Sequence, residues 1–520
     1  MAKEMLWKAD LENGMYRNPI LHTDYSDPDV IRVGDTFYMT ASSFNYIPGL
    51  PILISKDLVN WNLVNYAVKN IPYKDYDLPA HGRGIWAPSI RYHDNKFWIF
   101  VGMPDEGIFM TNTEDPLGEW SPLTCVWEGK GFIDPCPLWD DDGRSYVVHA
   151  YAKSRIGFKS KLGIFEISPD GKKAISEDRF IFDGTETQPT IEGPKIYKRD
   201  GMYYILAPAG GVSVGWQTAL RSKNIYGPYE EKIVMHQGNT DINGPHQGGL
   251  VDTLSGEEWF IHFQDKGVYG RICHLQPVNW ENGWSIIGID NDGDGIGEPV
   301  LSFKKPDGCK AVESYEPDTS DDFTNKSIQL QWQWLANSKD NFYSLSDNPG
   351  KLRLYNLNTT GENKAVIWNS ANILTQKVVC PTFVAEIKID FTSLSVGSKA
   401  GMLIIGGEYA SMCIERTQEE INIVYLESEG EDKKQFENII ERIPFEDSYE
   451  IYFKMEFNGD VTCTFYYSID GLQWSKAVKD FFPKKGTWVG ARIGIFAITD
   501  GEVKKRGYAD FSYFKVTKPH

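Results

Sequence analysis

The stretch "TQPTIEGPKIYKRDGMYYILAPAG", residues 187–210, contains the unit from which the fold is built. In its second half, two apolar and aromatic runs flank the turn Asp200-Gly201, which predicts a β-hairpin. A lone carboxylate, Glu192, stands just ahead of the first strand and before a Gly-Pro pair. Taken alone, Glu192 is a loop residue facing water, so the rest of the chain has to decide its role.

The same hairpin unit occurs five times within the first 265 residues. The copies are "VIRVGDTFYMTAS" from Val30, "SIRYHDNKFWIFVG" from Ser89, "CPLWDDDGRSYVVHA" from Cys136, "PKIYKRDGMYYILAPA" from Pro194 and "GLVDTLSGEEWFIHF" from Gly249. Their turns are about 50 to 60 residues apart, which leaves room for two more strands, as in "LPILISKDLVNWNLV" and "LGIFEISPDGKKA". Five such repeats predict a five-bladed β-propeller.

The composition favours an all-β protein with more than one domain. A chain of 520 residues exceeds one ordinary core, and 48 glycines and 27 prolines suit many tight turns. A polar segment over 306–325 contains two prolines and predicts a linker. We therefore expect a propeller over 15–305 and a second β domain over 326–520.

Charge and apolar patterning exclude some classes of function. The net charge of −19 disfavours a nucleic-acid partner, which requires a basic surface. No apolar run is long enough for a membrane span, and the start "MAKEMLWKADLENGM" lacks the apolar core of a signal peptide. The seven cysteines are scattered without CxxC spacing, so we expect reduced thiols and a cytoplasmic protein, with a trimmed secretion signal left open.

One chemically useful side chain precedes the first strand of each hairpin. The five residues are Asp27, Trp86, Asp134, Glu192 and His246. Each has an ordinary alternative: a turn former for the aspartates, a surface loop for the glutamate, and a structural role for the tryptophan and the histidine. Because the innermost strands of a propeller surround one axis, residues at one repeat position converge, and this favours a shared pocket.

Such a pocket suits the hydrolysis of a glycosidic bond. Two carboxylates flanking the bond supply a proton donor and a group that activates water. A third nearby carboxylate separates their pKa values, because like charges disfavour joint ionisation. An indole face would stack on the sugar, and His246 could bind a metal ion or a water molecule at the floor of the pocket.

These motifs resemble those of glycoside hydrolase family 43. The similar segments are "NPILHTDYSDPDVIRVGDTFYMTAS", "GIWAPSIRYHDNKFWIFVG", "FIDPCPLWDDDGRSYVVHAY", "IEGPKIYKRDGMYYILAPAGG" and "GPHQGGLV". The resemblance covers about residues 15–305 and implies a five-bladed propeller. The segments "LQWQWLANSKDNFYSLSDNPGKLRL" and "YADFSYFKV" resemble the concanavalin-like C-terminal β-sandwich that many members carry.

The resemblance implies roles for the three carboxylates. Asp27 matches the general base that activates water, and Glu192 matches the general acid. Asp134 matches the carboxylate that raises the pKa of the acid and orients it. The family inverts anomeric configuration, so the acid and base carboxyls are expected roughly 6.5–9.5 Å apart.

It also implies binding residues around them. Arg271, in "YGRICHLQPV", matches an arginine that lines the sugar pocket. Trp86 matches a subsite wall, and Phe132 is a second candidate wall. His246 matches the axial histidine, which often lies near a calcium ion or a water cluster.

A carboxylate-rich segment, "DNDGDGIGEPV", gives two interpretations. Asp290, Asp292 and Asp294 have the spacing of a calcium loop, but its twelfth position is Leu301 in place of glutamate. Both a structural Ca²⁺ site and a carboxylate-rich turn without an ion remain open. No cofactor is expected for the chemistry itself.

The resemblance implies an exo-glycosidase that removes terminal pentoses from plant cell-wall oligosaccharides, namely arabinoxylan, xylan or xyloglucan fragments. It leans to α-L-arabinofuranosidase over β-xylosidase, with dual activity open. One alternative is a retaining fructan-acting propeller enzyme, whose "NDPNG"-type signature is replaced here by "YSDPDV". Another is a non-catalytic carbohydrate-binding protein, which the loss of one carboxylate would favour. The sequence leaves the oligomeric state open.

Overall fold

The structure is a computed structural model that describes residues 5–310, 312–360, 362, 364–431, 434–446, 448–501 and 506–519. These residues form 36 β-strands. The remaining elements are short: a helix at Lys153–Ile156 and 3-10 turns at Lys74–Asp77, Gly267–Tyr269 and Ile367–Asn369. Within the described ranges, no helix is both long and apolar enough to cross a membrane.

Twenty strands form five four-stranded antiparallel sheets, each in sequence order. The first three sheets consist of β2 (Asp29–Val33), β3 (Thr36–Thr40), β4 (Gly49–Ser55), β5 (Asn62–Val68), β6 (Pro88–His93), β7 (Lys96–Met103), β8 (Gly107–Thr113), β9 (Thr124–Glu128), β10 (Phe132–Trp139), β11 (Ser145–Tyr151), β12 (Lys161–Ile167) and β13 (Arg179–Asp183). The last two consist of β14 (Lys195–Arg199), β15 (Met202–Ala209), β16 (Trp216–Ser222), β17 (Glu230–Met235), β18 (His246–Asp252), β19 (Glu258–Asp265), β20 (Arg271–Glu281) and β21 (Trp284–Ile287). All five predicted hairpins are present as the first two strands of a sheet.

The first strands of the sheets surround a common axis. Strand β2 packs against β6 and β18, and β10 packs against β6 and β14. The ring is closed outside the blades, because β1 (Met15–Arg17) pairs antiparallel with β22 (Ser302–Lys304). These contacts make a five-bladed propeller and bring the start of each first strand to one end of the axis.

The rest of the chain forms two antiparallel seven-stranded sheets. Their orders are β23-β26-β35-β28-β29-β30-β31 and β24-β25-β36-β27-β32-β33-β34. The bounds are β23 (Gln333–Trp334), β24 (Tyr343–Ser344), β25 (Leu352–Tyr355), β26 (Ile373–Lys377), β27 (Phe383–Asp390), β28 (Ser398–Ile405), β29 (Tyr409–Arg416), β30 (Ile421–Glu431), β31 (Lys434–Pro444), β32 (Glu450–Phe457), β33 (Cys463–Ser468), β34 (Ser475–Lys476), β35 (Arg492–Thr499) and β36 (Tyr508–Thr517). Alternating side chains of the two sheets, such as Ile387 and Ile495, share one buried core, as expected for a sandwich.

The sandwich is docked on the propeller through backbone and side-chain contacts. Ile47 and Trp334 exchange backbone hydrogen bonds of 3.0 and 2.6 Å. The Asp24 carboxylate accepts the backbone N–H of Arg271 at 2.9 Å and that of Gly490, in the sandwich, at 3.0 Å. A side chain at Gly490 would lie 2.5 Å from the nitrogen of Gly270, so the close approach of the two backbones requires glycine there.

The predicted fold class, a five-bladed propeller followed by a β-sandwich, is confirmed. The predicted domain limits at residues 305 and 326 stay a prediction.

Candidate active site

Three residues at one repeat position have the same unusual backbone. Asp27, Asp134 and Gly193 each precede a proline and have φ angles of 55°, 56° and 58°. For a non-glycine residue, this left-handed conformation costs about 1–3 kcal/mol and occurs mainly where a function requires it. The repeat therefore aims two aspartate side chains toward the axis from two different blades.

Asp27 is buried and is held by three donors. Its Oδ2 accepts the hydroxyls of Ser26 at 2.7 Å and Ser42 at 2.6 Å. Arg271 Nη1 lies 3.0 Å from Oδ1 and 3.2 Å from Oδ2, and the same nitrogen donates to Ser26 Oγ at 2.7 Å. An arginine with several hydrogen bonds to and around one carboxylate fixes the orientation of Asp27.

Asp134 is buried, and its Oδ2 accepts the backbone N–H of Gly193 at 2.8 Å. Burial raises the pKa of Asp134 to about 8, and the negative charges of Glu192 and then Asp27 act in the same direction. The influence of these two charges shows that the three carboxyls belong to one cluster. Because they are coupled, the proton that the cluster keeps near neutral pH belongs to the group and not to one carboxyl.

Glu192 lies one residue earlier in the repeat than the two aspartates, because Gly193 occupies the left-handed position in its blade. A side chain at Gly193 would lie 2.5 Å from Cδ of Gln247, so only glycine fits there without displacing that buried amide. The Glu192 side chain is 31% exposed, whereas that of Asp27 is 8% exposed. The longer and more accessible glutamate can therefore reach into the pocket.

His246 contacts the predicted acid directly. Its Nε2 lies 3.1 Å from Glu192 Oε1. The His246 ring lies 5.3 Å from the Phe263 ring, and the Arg271 guanidinium lies 4.6 Å from the same ring. Phe263 therefore lies between the residue that contacts Glu192 and the residue that holds Asp27.

Two tryptophans stand at the rim, and one of them comes from the sandwich. The Trp86 and Trp488 rings are 6.0 Å apart in an edge-to-face arrangement, and the Arg271 guanidinium lies 5.8 Å from the Trp488 ring. A cavity of about 200 Å³ lies between Arg271 and the segment 485–489. Trp488 is 46% exposed, which leaves its face accessible to a ligand.

Comparison with known proteins agrees with this geometry. Residues 16–285 match the model of "Glycosyl hydrolases family 43". This chain belongs to glycoside hydrolase family 43. Residues 320–517 match the "Beta xylosidase C-terminal Concanavalin A-like domain".

Three relatives of this family 43 hydrolase align with more than three quarters of its length. A protein of Xylanibacter ruminicola named "Putative beta-xylosidase" is 38% identical over 94% of this chain and 87% of its own length. The non-reducing end α-L-arabinofuranosidase BoGH43B of Bacteroides ovatus is 29% identical over 77% of this chain and 75% of its own. The crystal structure of xylan β-1,4-xylosidase from Bacillus halodurans C-125 has a TM-score of 0.85 and 25% identity, covering 96% of this chain and 100% of that one.

Phe132, the second predicted subsite wall, has its ring contacts elsewhere. Its ring packs against Trp127 of blade two at 5.2 Å, and against His149 at 4.9 Å and Tyr151 at 5.8 Å in blade three. None of these partners is one of the three clustered carboxyls. Its role as a wall of the sugar pocket in this family 43 enzyme stays a prediction.

The candidate metal ligands fall into two separate places. Asp290, Asp292 and Asp294 offer oxygens within 4.8 Å of one another, but these carboxylates also accept backbone N–H groups of their own turn. His246 belongs to no such group of three ligands among the described residues, and its Nδ1 has no hydrogen-bond partner there. The described residues therefore offer a cation only the exposed turn, away from the carboxylate cluster.

The structure also adds residues that sequence patterns did not reveal. Ser26 and Ser42 hold the Asp27 carboxylate, and a serine beside an aspartate carries no distinctive signal. Trp488 lies about 460 residues from Asp27 in the chain, and only the docking of the sandwich brings it to the rim.

We expect the replacement Asp134→Asn to stabilise the enzyme increasingly as the pH rises. The folded-state pKa of about 8 lies above the ordinary value of 3.8, so between these values the folded state binds the proton and the unfolded state does not. The wild type therefore loses stability as the pH rises through this range. Asparagine does not titrate, so the variant has no such loss. The Tm of the variant minus that of the wild type should increase by at least about 2 °C between pH 5 and pH 8, as measured by calorimetry.

A matched control is Asp200→Asn, whose side chain is 91% exposed. Its Tm difference should stay flat over the same range. A flat difference for Asp134→Asn would contradict the raised pKa.

Proposed function

We propose that this family 43 hydrolase is an inverting exo-enzyme that releases terminal pentoses from hemicellulose oligosaccharides. The observation that carries the proposal is the carboxylate cluster, in which Arg271 holds Asp27 and His246 holds Glu192. A fructan-acting enzyme is not favoured, because "YSDPDV" stands in place of its signature, and a non-catalytic binding protein is not favoured, because all three carboxylates are present.

In this mechanism, Asp27 is the general base. Ser26, Ser42 and Arg271 hold its carboxylate in place, so that it can take a proton from a water molecule. The water oxygen then bonds to the anomeric carbon on the face opposite the leaving group. Attack from that face inverts the configuration.

Glu192 is the general acid and gives its proton to the glycosidic oxygen as the bond breaks. The clustered carboxyls retain a proton near neutral pH, and Glu192 is the member that is exposed to the pocket. The Asp134 carboxyl accepts the N–H of Gly193, the residue next to Glu192, and so fixes the backbone that carries the acid. Asp134 is thus a positioning residue that does not react itself.

The exo mode of action is supported by the docked sandwich. Trp488 stands beside Trp86 at the rim, and Gly490 is tied to Asp24 behind it. A wall on this side restricts a polymer that would pass through the site, whereas the end of a chain can still enter. We therefore infer a short pocket that accepts a terminal sugar.

Between the two pentoses, we place β-D-xylosides first and α-L-arabinofuranosides second. A relative that is 38% identical bears the name "Putative beta-xylosidase", and the matching C-terminal domain model is also named after β-xylosidase. This order reverses the preference for α-L-arabinofuranosidase that the overall resemblance implied. Arabinoxylan or xylan fragments are accordingly the proposed substrates, with xyloglucan fragments next.

The test is hydrolysis of aryl β-D-xyloside and aryl α-L-arabinofuranoside by purified protein, with the product anomer followed by NMR. We expect release of α-xylose as the first product and a higher kcat/KM for the xyloside. A β-xylose first product would overturn inversion. A higher kcat/KM for the arabinofuranoside would overturn the order of substrates, and inactivity of folded protein on both glycosides and on xylo-oligosaccharides would overturn the function.

We expect Trp488→Ala to raise KM for xylobiose about 3- to 10-fold with a smaller change in kcat. Loss of one aromatic face at a sugar site removes on the order of 1 kcal/mol of binding. The matched control is Phe482→Ala, an exposed aromatic residue of the same domain that does not line the 200 Å³ cavity. Equal effects of both variants in steady-state kinetics would contradict a role for Trp488 in the pocket.

Family 43 chemistry needs no cofactor, because carboxylates supply both the acid and the base. We propose that calcium taken up by this chain binds the turn formed by Asp290, Asp292 and Asp294 and has a structural role only. EDTA should then leave kcat unchanged within about 20%, and added Ca²⁺ should raise the Tm of the wild type but not of Asp292→Asn. Loss of activity in EDTA would contradict this.

We propose that the enzyme acts in the cytoplasm on imported oligosaccharides. All seven cysteines are free, and five of them are buried, which supports a reducing compartment. Fractionation of the producing cells, with activity measured in each fraction, tests this location.

A further inference from the structure

A fully buried lysine, Lys195, crosses the axis of the propeller beside the carboxylate cluster. It begins β14, the first strand of blade four, and is 0% exposed. Its Nζ donates to the backbone oxygen of Pro88 at 2.7 Å and to Ser89 Oγ at 2.8 Å, both in β6 of blade two. Blade three lies between these two blades, so the side chain of Lys195 passes through the centre of the ring.

Lys195 belongs to the same short segment as the proposed acid, Glu192. The N–H of Gly193 donates to Asp134 Oδ2 at 2.8 Å, and Lys195 follows two residues later. Burial and then the charges of the two other carboxyls raise the pKa of Asp134, whereas the Gly193 N–H and the positive charge of Lys195 act in the opposite direction. Four consecutive residues therefore supply a carboxyl of the cluster, a hydrogen bond to a second carboxyl and a cation.

No ion pair balances the charge of Lys195. Both acceptors of its Nζ are neutral oxygens, and none of the ion pairs within the part of the chain that the structure describes includes this lysine. Taking an ammonium group out of water costs several kcal/mol unless negative charge compensates it. The carboxyl on which Lys195 acts is Asp134, so the cluster supplies that compensation through space.

The charges at the site balance when the three carboxyls share one proton. With one proton, Asp27, Asp134 and Glu192 together carry two negative charges. Arg271, which pairs with Asp27 at 3.0 Å, and Lys195 carry two positive charges. A second proton would leave positive charge in excess, and without the lysine two negative charges would face one cation. Lys195 therefore favours the state with a single proton.

Two further sets of ionisable groups face these strands. His246, at the start of β18, lies 3.1 Å from Glu192 Oε1. Arg91, in β6, pairs with Asp29 at 2.7 Å, so this pair adds no net charge. The Arg91 guanidinium also contacts two other titratable side chains, Cys136 and Tyr197. Of these groups, only His246 is hydrogen-bonded to a carboxyl of the cluster, and that carboxyl is not the one on which Lys195 acts.

We propose that Lys195 is a positioning residue of the reaction, whose buried charge, together with that of Arg271, holds the carboxylate cluster at a single proton. The cluster then contains a protonated acid and an ionised base at the same time. Without the lysine, the cluster retains a second proton, and the base can no longer accept the proton of the attacking water. This inference rests on the proposed glycoside hydrolysis, because it concerns the same three carboxyls.

The experiment is the pH profile of kcat/KM on aryl β-D-xyloside for Lys195→Met, which has a similar length and no charge. Loss of a nearby positive charge raises the pKa of a carboxyl, so the limb on which activity is lost toward low pH should move upward by at least about one unit. Activity at a pH on that limb should fall about tenfold or more. A purely structural lysine would lower kcat/KM at every pH without moving the limb.

The matched control is Lys96→Met, which removes an exposed lysine at the start of β7, away from the axis. Its limb should stay within about 0.2 units of that of the wild type, because an exposed charge is screened by solvent.

Thermal stability supplies a readout that does not depend on activity. A folded cluster that binds protons more tightly than the unfolded chain loses stability as the pH rises, and removal of Lys195 makes this loss steeper. The Tm of Lys195→Met minus that of the wild type should therefore fall by about 2 °C or more between pH 5 and pH 8.

Lys195→Gln is a second neutral variant, in case Lys195→Met does not fold, since its amide can still donate to Pro88 or Ser89. An unmoved limb in a folded neutral variant would overturn the proposal, and so would a Tm difference that is flat with pH. Failure of both neutral variants to fold would also overturn it, because the lysine would then be structural. An inactive wild type would instead refute the proposed function, and the Tm difference would still test the charge of Lys195.

Discussion

Replacing Asp27 by asparagine should lower kcat on aryl β-D-xyloside by about 10²- to 10⁴-fold with little change in KM. Asparagine has almost the same shape, so the sugar pocket is kept, but its amide cannot accept the proton of the attacking water. Arg271 also loses the charge that it faces at 3.0 Å. Steady-state kinetics on the folded variant, with its circular dichroism compared with that of the wild type, measures the effect.

The matched control for this variant is Ser42→Ala. It removes one hydroxyl that donates to Asp27 Oδ2 at 2.6 Å and leaves the carboxylate in place. Its kcat should fall by no more than about 10²-fold, since one hydrogen bond to a charged group contributes about 1.5–3 kcal/mol at most and each 1.4 kcal/mol or so is tenfold in rate. If Asp27→Asn retains more than a tenth of the wild-type activity, Asp27 is not the base.

A small anion offers an independent check on Asp27. Glycine suits the left-handed backbone at this position, where φ is 55°. In Asp27→Gly, azide can occupy the vacated space and attack the anomeric carbon, while Glu192 protonates the leaving oxygen. The product should be a glycosyl azide of inverted configuration, which NMR identifies.

Replacing Glu192 by glutamine should have an effect that depends on the leaving group. An aryl oxide whose phenol has a low pKa leaves without being protonated. Hydrolysis of an activated aryl xyloside should therefore fall by less than about 10²-fold. Xylobiose has a sugar alkoxide as its leaving group and needs the proton, so its hydrolysis should fall by about 10³- to 10⁴-fold. The logarithm of the rate can be plotted against leaving-group pKa for a series of aryl xylosides. The slope of this plot should be steeper for the variant than for the wild type.

The control for Glu192→Gln is Glu186→Gln, at an exposed position six residues earlier. It should leave both substrates unaffected. Equal losses of Glu192→Gln on xylobiose and on the activated aryl xyloside would indicate that Glu192 positions the substrate and does not donate a proton.

Local patterns predicted the propeller well, because each hairpin is set by a turn and by alternation within about 15 residues. The turns Asp94-Asn95 and Asp200-Gly201 lie between the predicted strands. The outer strands were harder to predict. In "LGIFEISPDGKKA" only the first part is a strand of blade three, and the fourth strand, Arg179–Asp183, lies further along the chain.

The candidate site was predictable to the extent that it repeats. Asp27 and Asp134 share one backbone conformation ahead of a proline, and the repeat reveals both. The offset of Glu192 by one residue follows from the crowding of Gly193 against Gln247, which involves two blades and leaves no mark in either segment alone. Trp488 depends on how two domains dock, and local periodicity contains no information about that.

The pairing of β1 with β22 has a consequence for the order of events during synthesis. Each blade hairpin can form as soon as its own residues leave the ribosome, since its contacts are local. Residues 15–17 have to wait for residues 302–304 before they find their partner strand. The nascent ring therefore stays open, with an unpaired strand at its start, until the whole propeller has been translated, and this interval is when a chaperone would have most to protect.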